Sequence, residues 1–180
     1  PGAGNITVSP GGAQPVISYP DAVTLQIDLN ASRTVINWSS LHVSSGDTMN
    51  FLFDSASDIV LNKTTSQIAI DNGAVISGKV GAATGGNIWF YSPQGVIVSP
   101  GATMTAGGFV FAGGTGLNDT TFVNAADPTA VLRAASNGLI RMSTLSSATS
   151  ASVNAAGDVV LSASSGALNV QTAYGQTAQI

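Results

Sequence analysis

The chain has 180 residues, a formal net charge of −4 and a hydrophobic content of 44%, which is enough apolar material for one continuous core. Only 8% of the residues are charged, against about 25% in an average soluble protein, and all nine acidic residues are aspartates. The five basic residues are scattered and cysteine is absent, which excludes a basic stripe for nucleic acid, a disulfide framework and a thiolate metal site.

The rest of the composition favours strands and turns. Glutamate, a common residue of helix surfaces, is missing, while glycine, serine, threonine and asparagine abound. Helix is therefore nearly excluded. No run of about 18 apolar residues occurs, so we expect no transmembrane segment. Because Pro1-Gly2 has no leader-like pattern and the last residues continue a strand pattern, we expect the chain to be a section of a longer precursor.

Short apolar runs recur along the chain and are separated by glycine or Asn-Gly pairs, which are typical of turns. The predicted strands are, in order, Val23–Leu29, Thr34–Trp38, Ile59–Leu61, Gln67–Ile70, Ala74–Ile76, Asn87–Tyr91, Val96–Val98, Phe109–Phe111, Ala130–Leu132, Leu139–Met142, Val159–Leu161 and Leu168–Val170. Runs this short, with turns that are often unlike hairpins, favour the stacked rungs of a parallel β-helix over an antiparallel sandwich. We expect a period of roughly 20 residues. Residues 1–33 are predicted to form N-terminal cap strands, and residues 34–180 to form the rungs of one continuous domain.

Several motifs follow one another between residues 24 and 112. The first is Ile36-Asn37-Trp38, followed by Leu41, Gly46, Met49 and Phe51; Leu61-Asn62-Lys63 comes next, then Ile76-Ser77-Gly78-Lys79-Val80, then Gly85–Val98 with the turn Ser92-Pro93-Gln94-Gly95, and last Gly101-Ala102 with Gly107–Val110. This series resembles the N-terminal domain of the filamentous-haemagglutinin family, the secretion domain of two-partner systems. Ser92 and Gln94 stand where the family has the asparagines of N-P-N-G, and Lys63 stands where it has arginine.

The resemblance implies a fold and a role. The fold is an all-β, right-handed parallel β-helix with an N-terminal β cap. The role is that of an exported bacterial adhesin module, secreted or at the cell surface of a Gram-negative bacterium. Its partner would be an outer-membrane β-barrel transporter with periplasmic recognition domains. The family motif assigns transporter recognition to Asn37, Trp38, Asn62, Ser92, Pro93, Gln94 and Gly95.

Two other functions stay open at this stage. One is a structural subunit of a cell-surface anchor or filament, assembling through its solenoid ends with further β-helix subunits or with host or matrix surfaces. The other is a carbohydrate-active enzyme, which would need clustered carboxylates. The aspartate pairs Asp54/Asp58 and Asp119/Asp127 and the single Asp71 are explained by turns, where aspartate bonds nearby backbone. We expect no catalysis, no cofactor and no metal site.

The aromatic and histidine residues are predicted to be structural. Trp38, Phe51 and Phe90 are expected to fill the core, and Trp89 and Tyr91, on the opposite face of their strand, to pack under the cap or under an extra-helical hairpin. His42, the sole histidine, is expected to point outward. The stretch Gly113–Gly116 is predicted to be a turn that does not introduce a helix, which argues against a phosphate-binding loop.

Overall fold

Short strands dominate the fold. The computed structural model describes residues 3–99 and 101–136, together with the backbone of residues 140–144, 152–155, 159–162 and 168–172. The strands are β1 (Ala3–Val8), β2 (Val16–Ser18), β3 (Thr24–Asp28), β4 (Arg33–Trp38), β5 (His42–Val43), β6 (Thr48–Phe53), β7 (Ile59–Lys63), β8 (Ile68–Ile70), β9 (Val75–Val80), β10 (Ala83–Thr84), β11 (Asn87–Tyr91), β12 (Val96–Val98), β13 (Thr103–Ala106), β14 (Gly108–Ala112), β15 (Ile140–Thr144), β16 (Ser152–Ala155), β17 (Val159–Ser162) and β18 (Leu168–Thr172). Two helices, α1 (Asp119–Asn124) and α2 (Pro128–Ala135), lie between β14 and β15 in the chain.

The strands form three sheets that run along a solenoid. Sheet A has the order β1-β4-β7-β11-β14-β17, sheet B has the order β2-β3-β6-β9-β13-β16, and sheet C consists of β5, β8 and β12. Successive turns of the chain add one strand to each sheet, in parallel to the strand of the turn before. The strands β3–β5 form the first turn, β6–β8 the second, and β9, β11 and β12 the third. The predicted parallel β-helix is thereby confirmed.

The length of one turn differs from the predicted 20 residues. Thr24 pairs with Thr48, Thr48 with Val75, and Val75 with Thr103, which are intervals of 24, 27 and 28 residues. The prediction was too short because each turn carries three strands and three corners, and the corners lack a uniform sequence signal. The last predicted strands give the same value, since Ile140 pairs with Leu168.

The first turn meets antiparallel strands. β1 pairs antiparallel with β4 at the edge of sheet A, and β2 pairs antiparallel with β3 at the edge of sheet B. β3 in turn pairs in parallel with β6. Antiparallel strands at the end of a solenoid cover edges that would otherwise pair with other chains.

The solenoid encloses one apolar core. Alternate residues of the strands point inward, among them Ile27, Phe51, Ile76 and Met104 from sheet B, all nearly inaccessible to solvent. From sheet A, the rings of Phe90 and Phe111 stack with centroids 5.5 Å apart and an angle of 14°. Core positions were predicted correctly for Trp38, Phe51 and Phe90.

The near absence of helix was predicted incorrectly at one place. Ala130–Leu132, predicted as a strand, lies within α2. Asp127 caps this helix by accepting a hydrogen bond from the Ala130 N–H, and Pro128 occupies its first turn, where its missing N–H costs nothing. A run of three apolar residues fits either structure, and the caps decided it. Neither described helix is long and apolar enough to cross a membrane.

Candidate functional site

Asn62 lies inside the solenoid, although asparagine is polar. It points inward from β7, between Ile36 of the previous turn and Phe90 of the next, and is fully buried. Its carboxamide oxygen accepts a hydrogen bond from the Trp38 indole N–H at 3.0 Å, and its amide group donates to the Trp89 carbonyl at 3.3 Å. Both ends of the carboxamide are therefore satisfied, which a buried amide requires. Asn62 links three successive turns from within.

Asn37 lies on the other face of sheet A. It adjoins Trp38 in the strand, so the two side chains point to opposite faces of the sheet. The Asn37 amide donates to the Asn5 carbonyl of β1 at 3.1 Å and to the Asp119 carboxylate at 2.7 Å. The Lys63 ammonium group, on the adjacent strand β7, donates to the same carboxylate at 2.7 Å and to the Leu117 carbonyl at 2.9 Å.

The turn Ser92–Gly95 forms the corner between β11 and β12. The Gly95 N–H donates to the Ser92 carbonyl at 3.2 Å, and Gly95 has a φ of 81°, which glycine adopts at little cost. Serine followed by proline suits the first two positions of such a turn. The buried Ser92 hydroxyl donates to the Ser66 carbonyl of the previous turn at 2.7 Å and accepts from the Gln94 N–H at 3.1 Å. The turn is thus fixed by its own chain and by its neighbour.

The exposed part of this corner is small. Pro93 is half-buried, and Gln94 is the exposed residue of the turn. The Gln94 amide donates to the Thr65 carbonyl at 3.4 Å, while the Gln67 amide donates to the Gln94 carbonyl at the same distance. The corners of the second and third turns therefore stack, and they present two glutamines to solvent.

The outer face of sheet A carries a second apolar cluster beneath the helices. Trp89 and Tyr91 pack there with Phe122 of α1 and Leu132 of α2. The rings of Trp89 and Phe122 meet edge to face, with centroids 5.6 Å apart. The Tyr91 hydroxyl donates to the Ala135 carbonyl at 2.7 Å, and burial raises the pKa of Tyr91. The prediction that Trp89 and Tyr91 pack under a cap or a hairpin was wrong: a helical pair covers them.

Most of the candidate carboxylates bond nearby backbone, as the turn interpretation predicts. Asp58 accepts from the Ser55 N–H at 2.8 Å. Burial raises the pKa of Asp58; the Ser55 hydrogen bond opposes this effect, and the charge of Asp54 adds to it. Asp127 serves as a helix cap. Asp119 differs, because its carboxylate binds two side chains from other turns.

The histidine and the glycine-rich stretch have clear places in the structure. His42 points outward between the buried Leu41 and Val43, as predicted, and its Nε2 lies 2.7 Å from the Asp71 carboxylate. Helix α1 follows Gly116 closely, so the expectation that no helix follows was wrong. The Asn118 side chain caps the Thr121 N–H at 2.8 Å, and Asp119 places a negative charge in the same first turn, which disfavours a bound phosphate. Within residues 3–99 and 101–136 and the later strands, no group of three or more potential metal-ligating side chains is found.

The motif residues are thus distributed over three places that share sheet A. Trp38 and Asn62 lie inside it, Asn37 lies outside it beneath α1, and Ser92–Gly95 lies at its corner. Sequence reasoning missed Asp119 and Arg33 as partners in this arrangement. The Arg33 guanidinium donates to the Val123 carbonyl at 3.4 Å and to the Ala125 carbonyl, at the end of α1. No local signal could have identified these contacts, which join residues about ninety positions apart.

A comparison of the chain with models of known protein families and with curated proteins finds no match.

Proposed function

We propose that this chain is the N-terminal secretion and capping module of an exported bacterial surface adhesin, recognised by an outer-membrane β-barrel transporter. The proposal joins the ordered motifs of residues 24–112 to a β-helix that suits export. Each turn of such a helix buries its apolar face against its neighbours, so the chain can fold turn by turn as it emerges. Folding outside the membrane then prevents return of the chain.

The observation that carries the proposal is the construction of the first turn. β1 and β2 cover the edges of sheets A and B there by antiparallel pairing. The motif residue Asn37 bonds the cap strand β1, and the motif pair Trp38–Asn62 joins the first turn to the second. A capped end gives stacking a defined starting point, and it reduces pairing with other chains at that end.

The experiment is an export assay. The chain, fused to a secreted reporter, is produced in its own bacterium with and without the barrel protein encoded beside it. We expect reporter on the cell surface or in the medium only when the barrel is present. Undiminished export without the barrel would contradict the proposal.

A matched pair of variants tests the recognition site. Gln94→Ala changes the exposed residue of the motif turn, whereas Gln67→Ala changes the exposed glutamine at the same corner one turn earlier. The two glutamines make comparable hydrogen bonds, so we expect similar stability for the two variants. We expect Gln94→Ala to reduce export and Gln67→Ala to leave it near the original level. Equal export of the two variants would remove Gln94 from the recognition site.

A further inference from the structure

A helical segment, residues 117–136, crosses the outer face of sheet A and contacts three turns of the solenoid. It reaches the first turn through Arg33 and Asn37, and the second turn through Lys63. Tyr91 bonds it to the third turn. The segment follows β14, which belongs to the fourth turn. We call residues 117–136 the clasp.

The contacts of the clasp are specific rather than only apolar. Asp119 and Lys63 retain 16% and 23% of their side-chain exposure, so their ion pair is shielded from water more than a surface pair is. Asp119 also accepts from Asn37, which ties one carboxylate to two turns. At the other end of α1, the Arg33 guanidinium donates to two carbonyls that the helix leaves free.

These contacts alter the connectivity of the fold. In a solenoid each turn contacts only its neighbours, so the terminal turns are expected to open before the central ones. The clasp joins the first turn to residues that follow the fourth turn's strand β14. Its binding face includes Val35, Leu61, Trp89 and Val110 from four adjacent strands, and this face exists only once those strands have stacked.

We propose that the clasp closes after the first four turns have stacked and locks the first turn with its cap strand to the later turns. The first turn then opens together with the second and third and does not fray from its end. This device is independent of the route of export. It makes the N-terminal end of the β-helix resistant to unfolding once residue 136 has folded into place.

Hydrogen exchange of the full chain tests the proposal, by comparing the original chain with Asp119→Asn. The substitution removes the charge that faces Lys63 and sets an amide against the Asn37 amide. We expect exchange in β1 and β4 to accelerate roughly tenfold, together with exchange in α1, while β8 and β12 of sheet C change little. The control is Asp71→Asn, which removes an exposed pair with His42 and should leave β1 and β4 unchanged.

Two results would overturn the proposal. Acceleration confined to α1 and α2 would show that the helices are a passive cover, and equal acceleration of every amide would show that the chain opens as one unit without the clasp's selective effect. Should Asp119→Asn fail to fold, Tyr91→Phe decides the matter, because it removes only the hydroxyl that bonds Ala135. We expect the same pattern in β1 and β4 for Tyr91→Phe, with a smaller acceleration.

Discussion

The buried carboxamide of Asn62 permits a quantitative prediction. Asn62→Leu retains the approximate volume of the side chain but leaves the Trp38 indole N–H and the Trp89 carbonyl without their partner in the core. A buried donor left unsatisfied costs about 1–3 kcal/mol, and the lost bond to the carbonyl adds about 1 kcal/mol. The added apolar burial offsets part of this cost. We therefore expect the free energy of unfolding to fall by about 2–3 kcal/mol.

A double-mutant cycle separates the hydrogen bond from packing. Trp38→Phe removes the donor, so Asn62→Leu in that background should cost at least about 1 kcal/mol less than it does alone. The measurement is urea unfolding, followed by circular dichroism and by the fluorescence of Trp89, with coincident transitions and an unchanged m value. An equal cost of Asn62→Leu in both backgrounds would refute the view that Asn62 is retained for this hydrogen bond.

Three further predictions concern backbone, charge and capping. Gly86→Ala should lower the free energy of unfolding by about 3 kcal/mol, because Gly86 has a φ of 72° and an added Cβ would lie 2.1 Å from the Phe53 ring; Gly81→Ala, with a φ of 59° and open space, should cost only about 1 kcal/mol. Since burial raises the pKa of Asp58, its contribution to stability is full below the unfolded pKa near 3.8 and declines as the pH rises through the folded value; Asp58→Asn should therefore be more stable than the original chain at pH 7, and urea titrations at pH 3 should show a smaller difference. Asp127→Ala removes the cap of α2 and should lower thermal stability by about 1 kcal/mol, whereas no change in the melting temperature would argue that this helix end is held by packing alone.

The inward or outward direction of many side chains follows from the sequence. Alternation in Thr34–Trp38 and Asn87–Tyr91 suffices to place Trp38 and Phe90 inside, and the apolar neighbours of His42 suffice to place it outside. These assignments succeed because the two-residue period of a strand is local: one residue fixes the face of the next. Glycine at a corner such as Gly95 is equally local, since the turn requires a positive φ there.

The long-range contacts depend on register, which the sequence leaves open. Nothing near Asp119 indicates that its partners are Lys63 and Asn37, because those residues meet it only after the turns have stacked in one alignment. The period of 24–28 residues was misjudged for the same reason: corners of unequal length hide the repeat. Ala130–Leu132 fits a strand or a helix by composition, and its helical form depends on the Asp127 cap and on the apolar face of sheet A on which it packs.

The sequence by itself therefore determined the class of fold, the corners and most of the core. Composition and strand alternation act within a few residues, and a β-helix is built from such short units. Only the tertiary structure decided what lies on the outer face of sheet A. There the pairing of Trp89 with Phe122, and the bonds of Arg33 to the end of α1, join parts of the chain that come together only when four turns are in register.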